Sequence, residues 1–510
     1  MKKFLCVTIL TLSVALYSKP KVTVVLVIDQ FAAHYLPKLD PYLSHGIHHF
    51  LKNGIVYTNA HLPYAATSTG VGHASLGTGA LPKDHGVIYN KWLDENENRI
   101  APEDENGKFI MTPTLNAPFL ASDKKNKVFA ISLKPRATFG MAGKKGAAAW
   151  FNEGTSQFET NSNNMIIDKI LKEWNKKLEH LDLTWNQMHS NEQFYQFPHI
   201  NNYKYASEPS IINTSKNPST PAQFAERLVK LPIANQILLD ITEEYINKQL
   251  QTSPESDLLI WVSLSSLDKI GHIYGPHSKE IIDMIYQLDK QIEQFINKVN
   301  HIIPAEEVLY VLTADHGVMP ITELIKKEFP HAQRLNENKI IDSINAQIKN
   351  IFGYQNAIVS LKIPHLICNK QLMKELSKEK KQQLFYLVKD ELKKTPGIKN
   401  VYTENELQSM HPQEGSPQWL LKNMVYPGRS GDLLIELEPH IMISKYEAGT
   451  KHNNPQPEVT HVPLIMHQEG SIEKKVFPEK VWMPQLNSTI AEILEIPHAS
   501  PQALQSLPIS

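Results

Sequence analysis

Three aspartates and three histidines in this chain stand at or just beyond short apolar runs. Asp29 follows Val22 to Ile28 (VTVVLVI), and Asp315-His316-Gly317 comes shortly after Val308 to Leu312 (VLYVL). Leu258 to Val262 (LLIWV) runs into Ser263 and then Asp268, and Thr460-His461-Val462-Pro463 opens another apolar stretch. Asp268-x-x-x-His272 puts a carboxylate and an imidazole within reach of one cation if the segment is helical. Carboxylate and imidazole ligands without thiolate suit zinc, manganese or iron in catalytic rather than structural use. Cysteine ligands are excluded, since the chain has only Cys6 and Cys368. Taken singly, an Asp after a strand is commonly a helix cap. Their joint placement carries the metal reading.

A second group could supply a nucleophile and anion donors. Tyr64 to Gly79 reads YAATSTGVGHASLGTG, with small residues crowding around hydroxyls. A hydroxyl on such a turn can be deprotonated by a bound cation and attack phosphorus. Composition alone favours a glycine-rich loop between a strand and a helix. Ser132-Leu133-Lys134-Pro135-Arg136 supplies two cations at i and i+2, which share one side of an extended segment. Arg grips two oxygens as a fork and Lys adds a point charge. Asn90 offers an amide N–H. Without the other groups, such a Lys-x-Arg pair reads as ordinary surface charge.

The elements that must position these residues are legible as unalternating apolar runs of four to seven residues, which suit strands buried on both faces of a parallel sheet. Val128 to Ile131 (VFAI) is one more such run, and it leads directly to Lys134. Helical spacing of apolar residues marks Ser278 to Asn300 and Pro221 to Leu250. Strands alternating with helices predict a doubly wound α/β fold, whose ligands bind beyond the carboxyl ends of the strands. Two stretches read as additions to that sheet. Residues 151–220 are polar and Asn-rich with weak periodicity. Residues 335–425 combine helical patterns near Lys339 to Phe352 and Lys380 to Lys394 with strand-like 357–363 and 398–403, and predict an inserted α+β cap.

The 510 residues are 41% hydrophobic and 21% charged, an ordinary globular composition. The formal net charge of -1 gives no footprint for nucleic acid or an anionic membrane. Lys2 and Lys3 precede an apolar stretch from Phe4 to about Leu16, which reads as a signal peptide over 1–18 and is too short for a stable membrane span. Export to the periplasm or beyond is expected, leaving Cys368 as the lone cysteine of the mature chain.

In chain order, Asp29, Thr69-x-x-Gly-His73, His85-Gly86, Asp268-x-x-x-His272, Asp315-His316-Gly317 and Thr460-His461-Val462-Pro463 resemble the motifs of the alkaline phosphatase superfamily. Within it the chain is similar to the type I phosphodiesterase/nucleotide pyrophosphatase branch, and above all to its PafA-type alkaline phosphatases. The resemblance implies a three-layer α/β/α sandwich with a largely parallel sheet and two zinc ions. It makes Asp29, Asp315, His316 and the Thr69 oxygen ligands of one, and Asp268, His272 and His461 ligands of the other. Thr69 is the implied nucleophile because it stands four residues before His73. Asn90, Lys134 and Arg136 match phosphate-binding residues of the phosphomonoesterases. Gly146 to Phe151 and Arg429-Ser430-Gly431-Asp432 also resemble that branch. Val71 departs from a proline common among relatives, and Pro135 from an expected acidic residue. The implied reaction is hydrolysis of small-molecule phosphate monoesters through a phosphothreonine. A phosphodiesterase on the same scaffold is the alternative, with a non-catalytic exported metal-binding protein as a second.

Overall fold

Five strands rich in Val, Ile, Leu and Ala run parallel through the centre of the molecule. In spatial order they are Val308–Thr313, Val22–Ile28, Leu258–Leu264, Lys127–Ser132 and Ala147–Asn152. All seven residues of Val22–Ile28 and of Leu258–Leu264 are buried, which is why these runs show no polar alternation. The structure is a computed structural model that describes residues 18–94, 96–196, 203–214 and 218–509. The expected signal peptide therefore lies, apart from Ser18, outside the described residues. Among them, no helix is long and apolar enough to cross a membrane.

Further strands extend both edges, with Leu464–His467 and Gln157–Thr160 running against the central five. Leu464–His467, Ile55–Tyr57 and Lys475–Phe477 follow Val308–Thr313, and Gln157–Thr160 closes the other side, giving nine strands. Helices pack on the sheet, among them Pro135–Ala142, Pro232–Thr252 and Gly46–Asn53, and Lys279–Ile302 lies against the last two. The result is the expected layered α/β fold with a mostly parallel sheet. The helical pattern expected over 221–250 is two helices, Pro221–Leu228 and Pro232–Thr252. Pro232 ends the first because it lacks an N–H, and it starts the second at a first-turn position that needs none.

Register places the site. Val22 pairs with both Val308 and Leu258, and Ser132 pairs with Ser263, so the central strands end together. Asp315, Asp29, Asp268 and Lys134 consequently emerge along one edge, from four adjacent strands.

The 151–220 stretch is not simply an addition. Its beginning completes the main sheet through Ala147–Asn152 and Gln157–Thr160. Met165–Leu178 is a helix, capped by the Asn164 side chain on Ile166 N–H, that buries Ile167, Ile170, Leu171 and Leu178. Four lysines among its 14 residues dilute that apolar stripe in the sequence. Farther along, a four-stranded antiparallel sheet orders Ile358–Lys362, His365–Cys368, Leu433–Leu437 and Ile398–Thr403. Helices Glu337–Phe352 and Lys378–Lys393 share with it a separate apolar cluster spanning Ile340 to Ile443. This unit takes Leu433–Leu437 from beyond residue 425, where the sequence pattern places the end of the cap.

Candidate metal centre

Asp29, Asp315 and His316 present ligand atoms that all lie within 4.8 Å of one another, and all three are buried. His316 Nε2 is 3.6 Å from Asp29 Oδ1 and 3.4 Å from Asp315 Oδ2. Asp268, His272 and His452 form a second group with ligand atoms as close together, Asp268 buried and both rings partly buried. Its acid and first imidazole sit one turn apart on helix Ser266–Tyr274, as their spacing requires. His272 Nε2 is 3.3 Å and His452 Nε2 3.8 Å from Asp268 Oδ1. The groups adjoin, with the His316 and His452 rings stacked at 3.7 Å between centroids.

His452 takes the place that the sequence resemblance gives to His461. His461 belongs to neither group. It begins a two-residue strand paired with Ala60–His61, its ring stacks on His61 at 4.6 Å, and its Nε2 lies 2.9 Å from the Thr58 carbonyl oxygen. That pairing turns the side chain away, although the Ala33 N–H donates to the His461 carbonyl and so keeps the backbone near the strand that ends at Ile28. His452 escapes sequence reasoning because the apolar run before it, Ile441 to Ile443, ends well short of it. It ends a polar segment, Lys445-Tyr-Glu-Ala-Gly-Thr-Lys-His452, whose one signal is a small residue and a hydroxyl shortly before the imidazole.

Tautomers follow from the hydrogen bonds. Nδ1 of His272 faces the Thr450 carbonyl at 2.9 Å, Nδ1 of His316 the Gly317 carbonyl at 3.0 Å, and Nδ1 of His452 the Thr67 carbonyl. A carbonyl only accepts, so Nδ1 carries the proton in each ring and Nε2 keeps its lone pair. Those lone pairs point at carboxylate oxygens, which cannot donate. Asp29 Oδ1 and His316 Nε2 are buried with no hydrogen-bond partner. Lone pair facing lone pair in a buried site is the arrangement a divalent cation resolves, and the donor set fits zinc.

The electrostatics agree. Burial and the neighbouring Asp315 raise the Asp29 carboxyl to about 7. Burial also opposes ionisation of Asp315 and Asp268, yet His316 and His73 hold the first, and Lys134 and His272 the second, below the ordinary carboxylate range. Burial holds His272 down to about 4, and burial with His316 keeps His452 well below the usual imidazole range. Both imidazoles are neutral at pH 7, the state a metal ligand needs.

Thr69 is the first residue of helix Thr69–Thr78, and the segment is a helix start rather than an extended loop. A Cβ at position 72 would lie 2.5 Å from the Asp315 carbonyl oxygen, so Gly72 permits the helix to approach that strand end. His73 secures the approach with Nδ1 2.9 Å from the Thr69 carbonyl and 3.3 Å from Asp315 Oδ2. The Lys134 ammonium lies 3.4 Å from Thr69 Oγ1 and 2.5 Å from both Asp29 Oδ2 and Asp268 Oδ2. Asp268 and Asp29 raise its pKa against the effect of burial.

The Lys134–Arg136 segment is not extended. Lys134 precedes helix Pro135–Ala142, and Arg136 is its second residue, because Pro135 favours the first helical position. Arg136 is half-buried, with a shielded Nε that has no hydrogen-bond partner. Asn90 Oδ1 accepts from the Gly70 N–H at 2.7 Å, which orients its amide at the head of the Thr69 helix. His85 lies off the centre, with Nε2 on Ser75 Oγ at 3.0 Å. Arg429 donates to the Gly86 and Phe109 carbonyls, a framework contact.

The family model of type I phosphodiesterase / nucleotide pyrophosphatase matches residues 23–463. Alkaline phosphatase PafA of Elizabethkingia meningoseptica is 26% identical over 518 residues, covering 94% of this chain and 92% of that protein. Alkaline phosphatase PhoV of Synechococcus elongatus is 26% identical over 528 residues, covering 95% and 91%. The crystal structure of PafA shares the fold with a TM-score of 0.85 at 22% identity, covering 96% of this chain and 98% of that one. Murine ectonucleotide pyrophosphatase / phosphodiesterase 5 shares it with a TM-score of 0.54 at 14% identity, covering 93% and 95%. That family match includes every residue from Asp29 to His452, and the chain belongs to the type I phosphodiesterase / nucleotide pyrophosphatase family of the alkaline phosphatase superfamily.

Proposed function

We propose that this chain hydrolyses phosphate monoesters by transferring the phosphoryl group to Thr69 and then to water. The observation that carries the reading is Thr69 Oγ1 at the head of a helix, beside Lys134 and both carboxylate–imidazole groups. Asp29, Asp315 and His316 would hold one zinc ion with the Thr69 oxygen, and Asp268, His272 and His452 the other. Bound there, the ions would supply the positive charge that favours the Thr69 alkoxide and stabilises the departing oxygen.

Thr69 Oγ then bonds to phosphorus as the bond to the ester oxygen breaks, and the leaving alkoxide departs to take up a proton. Water attacks the phosphothreonine in turn, releasing inorganic phosphate and restoring the hydroxyl. Lys134, Arg136 and the Asn90 amide grip the non-bridging oxygens, whose charge is one unit larger in a monoester than in a diester. Their role is positioning and charge stabilisation. The names of PafA and PhoV support the monoester assignment, whereas the family description keeps a diesterase in view. The apolar leader with its basic start supports export through a signal peptide over 1–18.

The test is hydrolysis of p-nitrophenyl phosphate and bis-p-nitrophenyl phosphate by zinc-loaded protein. The monoester should be preferred, and Thr69→Ala should cost about four to six orders of magnitude in kcat. Lys134→Ala/Arg136→Ala should collapse monoester turnover and spare much of any diester turnover. Diester preference with little effect of the double substitution assigns a phosphodiesterase instead.

A further inference from the structure

Gln30 directly follows Asp29 and is almost completely buried at 1% exposure. Its backbone is left-handed, with φ of 69°, a conformation that non-glycine side chains rarely adopt. Two contacts result from this turn. The Gln30 backbone N–H donates to Asp315 Oδ1 at 3.1 Å, and its side-chain Nε2 donates to Asp268 Oδ1 at 2.6 Å. A carboxylate oxygen accepts only, so the amide's NH2 end must face Asp268. One residue thus touches an acid of each candidate metal group. Asp268 Oδ1 is also the oxygen nearest His272 and His452, so the amide fixes the atom around which the second group converges.

The opposite end of the amide is fixed as well. Gln30 Oε1 is buried without a hydrogen-bond partner, and a Cβ at position 271 would overlap it. Gly271 lies on the Asp268–His272 helical turn itself. Glycine there leaves space for the Gln30 amide to lie against that turn. A neutral amide suits the task, since it orients the carboxylate without cancelling the charge a cation requires.

We infer that Gln30 is a positioning residue that ties the two candidate metal groups together, with its side-chain amide setting the geometry of the Asp268 site. The inference rests on the metal-centre reading above. Ligand-orienting partners of this kind are worth about 10–100-fold in metal affinity.

Zinc binding to the metal-stripped full chain, measured by competition with a chromogenic chelator, tests it without recourse to turnover. Gln30→Gly and Gln30→Met should each weaken one of the two zinc sites about 10–100-fold and leave the other near wild type. Gln30→Gly relieves the left-handed backbone, so the metal-free protein should melt no lower than wild type. Gly271→Ala should weaken the same site in the wild-type background and add nothing in Gln30→Gly, because it acts through the displaced amide. Wild-type affinity at both sites in the two Gln30 variants overturns the inference. So does an equal loss at both sites together with a lowered melting temperature, which marks a purely structural role. A wild-type protein that takes up fewer than two zinc ions overturns the metal-centre reading itself, a separate result.

Discussion

The two carboxylate–imidazole groups share a wall, the stacked His316 and His452 rings, but they are assembled differently. Asp29 and Asp315 come within two residues of the ends of adjacent parallel strands, and His316 follows at once. Asp29, Asp315 and His316 have no exposure. The second group borrows from two places. Asp268 and His272 ride on a helical turn, and His452 arrives on a polar segment that leaves the cap after strand Ile441–Ser444. The contrast is between a site built into the sheet and a site closed over it by a strap. A sheet-built site inherits its geometry from strand register. A strap-built site needs its own fastenings, and they are visible: the Thr450 N–H donates to the His272 carbonyl at 2.9 Å, and Arg334 Nη2 donates to the Gly449 carbonyl at 2.7 Å.

The largest effect should come from exchanging the two candidate third ligands of the strap-built site. His452→Ala should reduce bound zinc from two ions to one and lower kcat/KM for p-nitrophenyl phosphate by at least about a thousandfold, since a two-metal clamp loses one arm. His461→Ala should retain both ions and near-normal turnover, because that ring meets His61 and the Thr58 carbonyl and neither carboxylate–imidazole group. Metal analysis of the two purified variants decides the matter. Full zinc content in His452→Ala, or a lost ion in His461→Ala, reverses the assignment.

That pair also marks how far the sequence could be read. The central strands were legible because burial on both faces makes them uniformly apolar, and Asp29, Asp315, His316, Asp268, His272 and Lys134 stand out as candidates by their distance from those runs. Thr69 and Asn90 came from motif resemblance, and the structure puts them together through the Gly70 N–H. His452 was hidden because a strap has no periodicity: its position is set by tertiary fastenings. Gln30 was hidden for another reason. Its role depends on a positive φ and on the absence of a side chain at Gly271, and neither shows in a linear pattern. His461 misled because it stands beside the correct edge of the sheet with its ring turned to the wrong side.

A milder perturbation acts on the strap without touching a candidate ligand. Arg334 joins Glu323 by two contacts of 2.9 and 3.0 Å and reaches the Gly449 carbonyl with the same guanidinium. Arg334→Ala should loosen His452 and weaken the second zinc about tenfold, with kcat/KM falling in proportion and the sheet-built site unaffected. Chelator competition resolves the two sites. Equal weakening of both would mean that the strap and the sheet-built group form one rigid unit, erasing the distinction.

The smallest effect separates histidines that can bind metal from histidines that hold the frame. Burial, reinforced by Arg429, holds His85 down to about 3, against about 6.5 in an unfolded chain. Below pH 6.5 the unfolded chain therefore binds a proton that the folded chain refuses. The stabilisation is complete above that pH and declines as pH falls toward 3. Between pH 6.5 and 5.5 this one group should remove about 1 kcal/mol of stability. Zinc held by His272 and His452 would withdraw both rings from titration by occupying their lone pairs, whereas His85 would remain coupled to folding in the zinc-loaded protein. His85→Gln forfeits the Ser75 and Val87 contacts and should be less stable at pH 7, with a flatter pH dependence. Urea midpoints of zinc-saturated wild type and variant at the two pH values give the difference in slope. Parallel slopes would show that protonation of this buried ring does not contribute to acid unfolding, and that the pH response belongs to other groups.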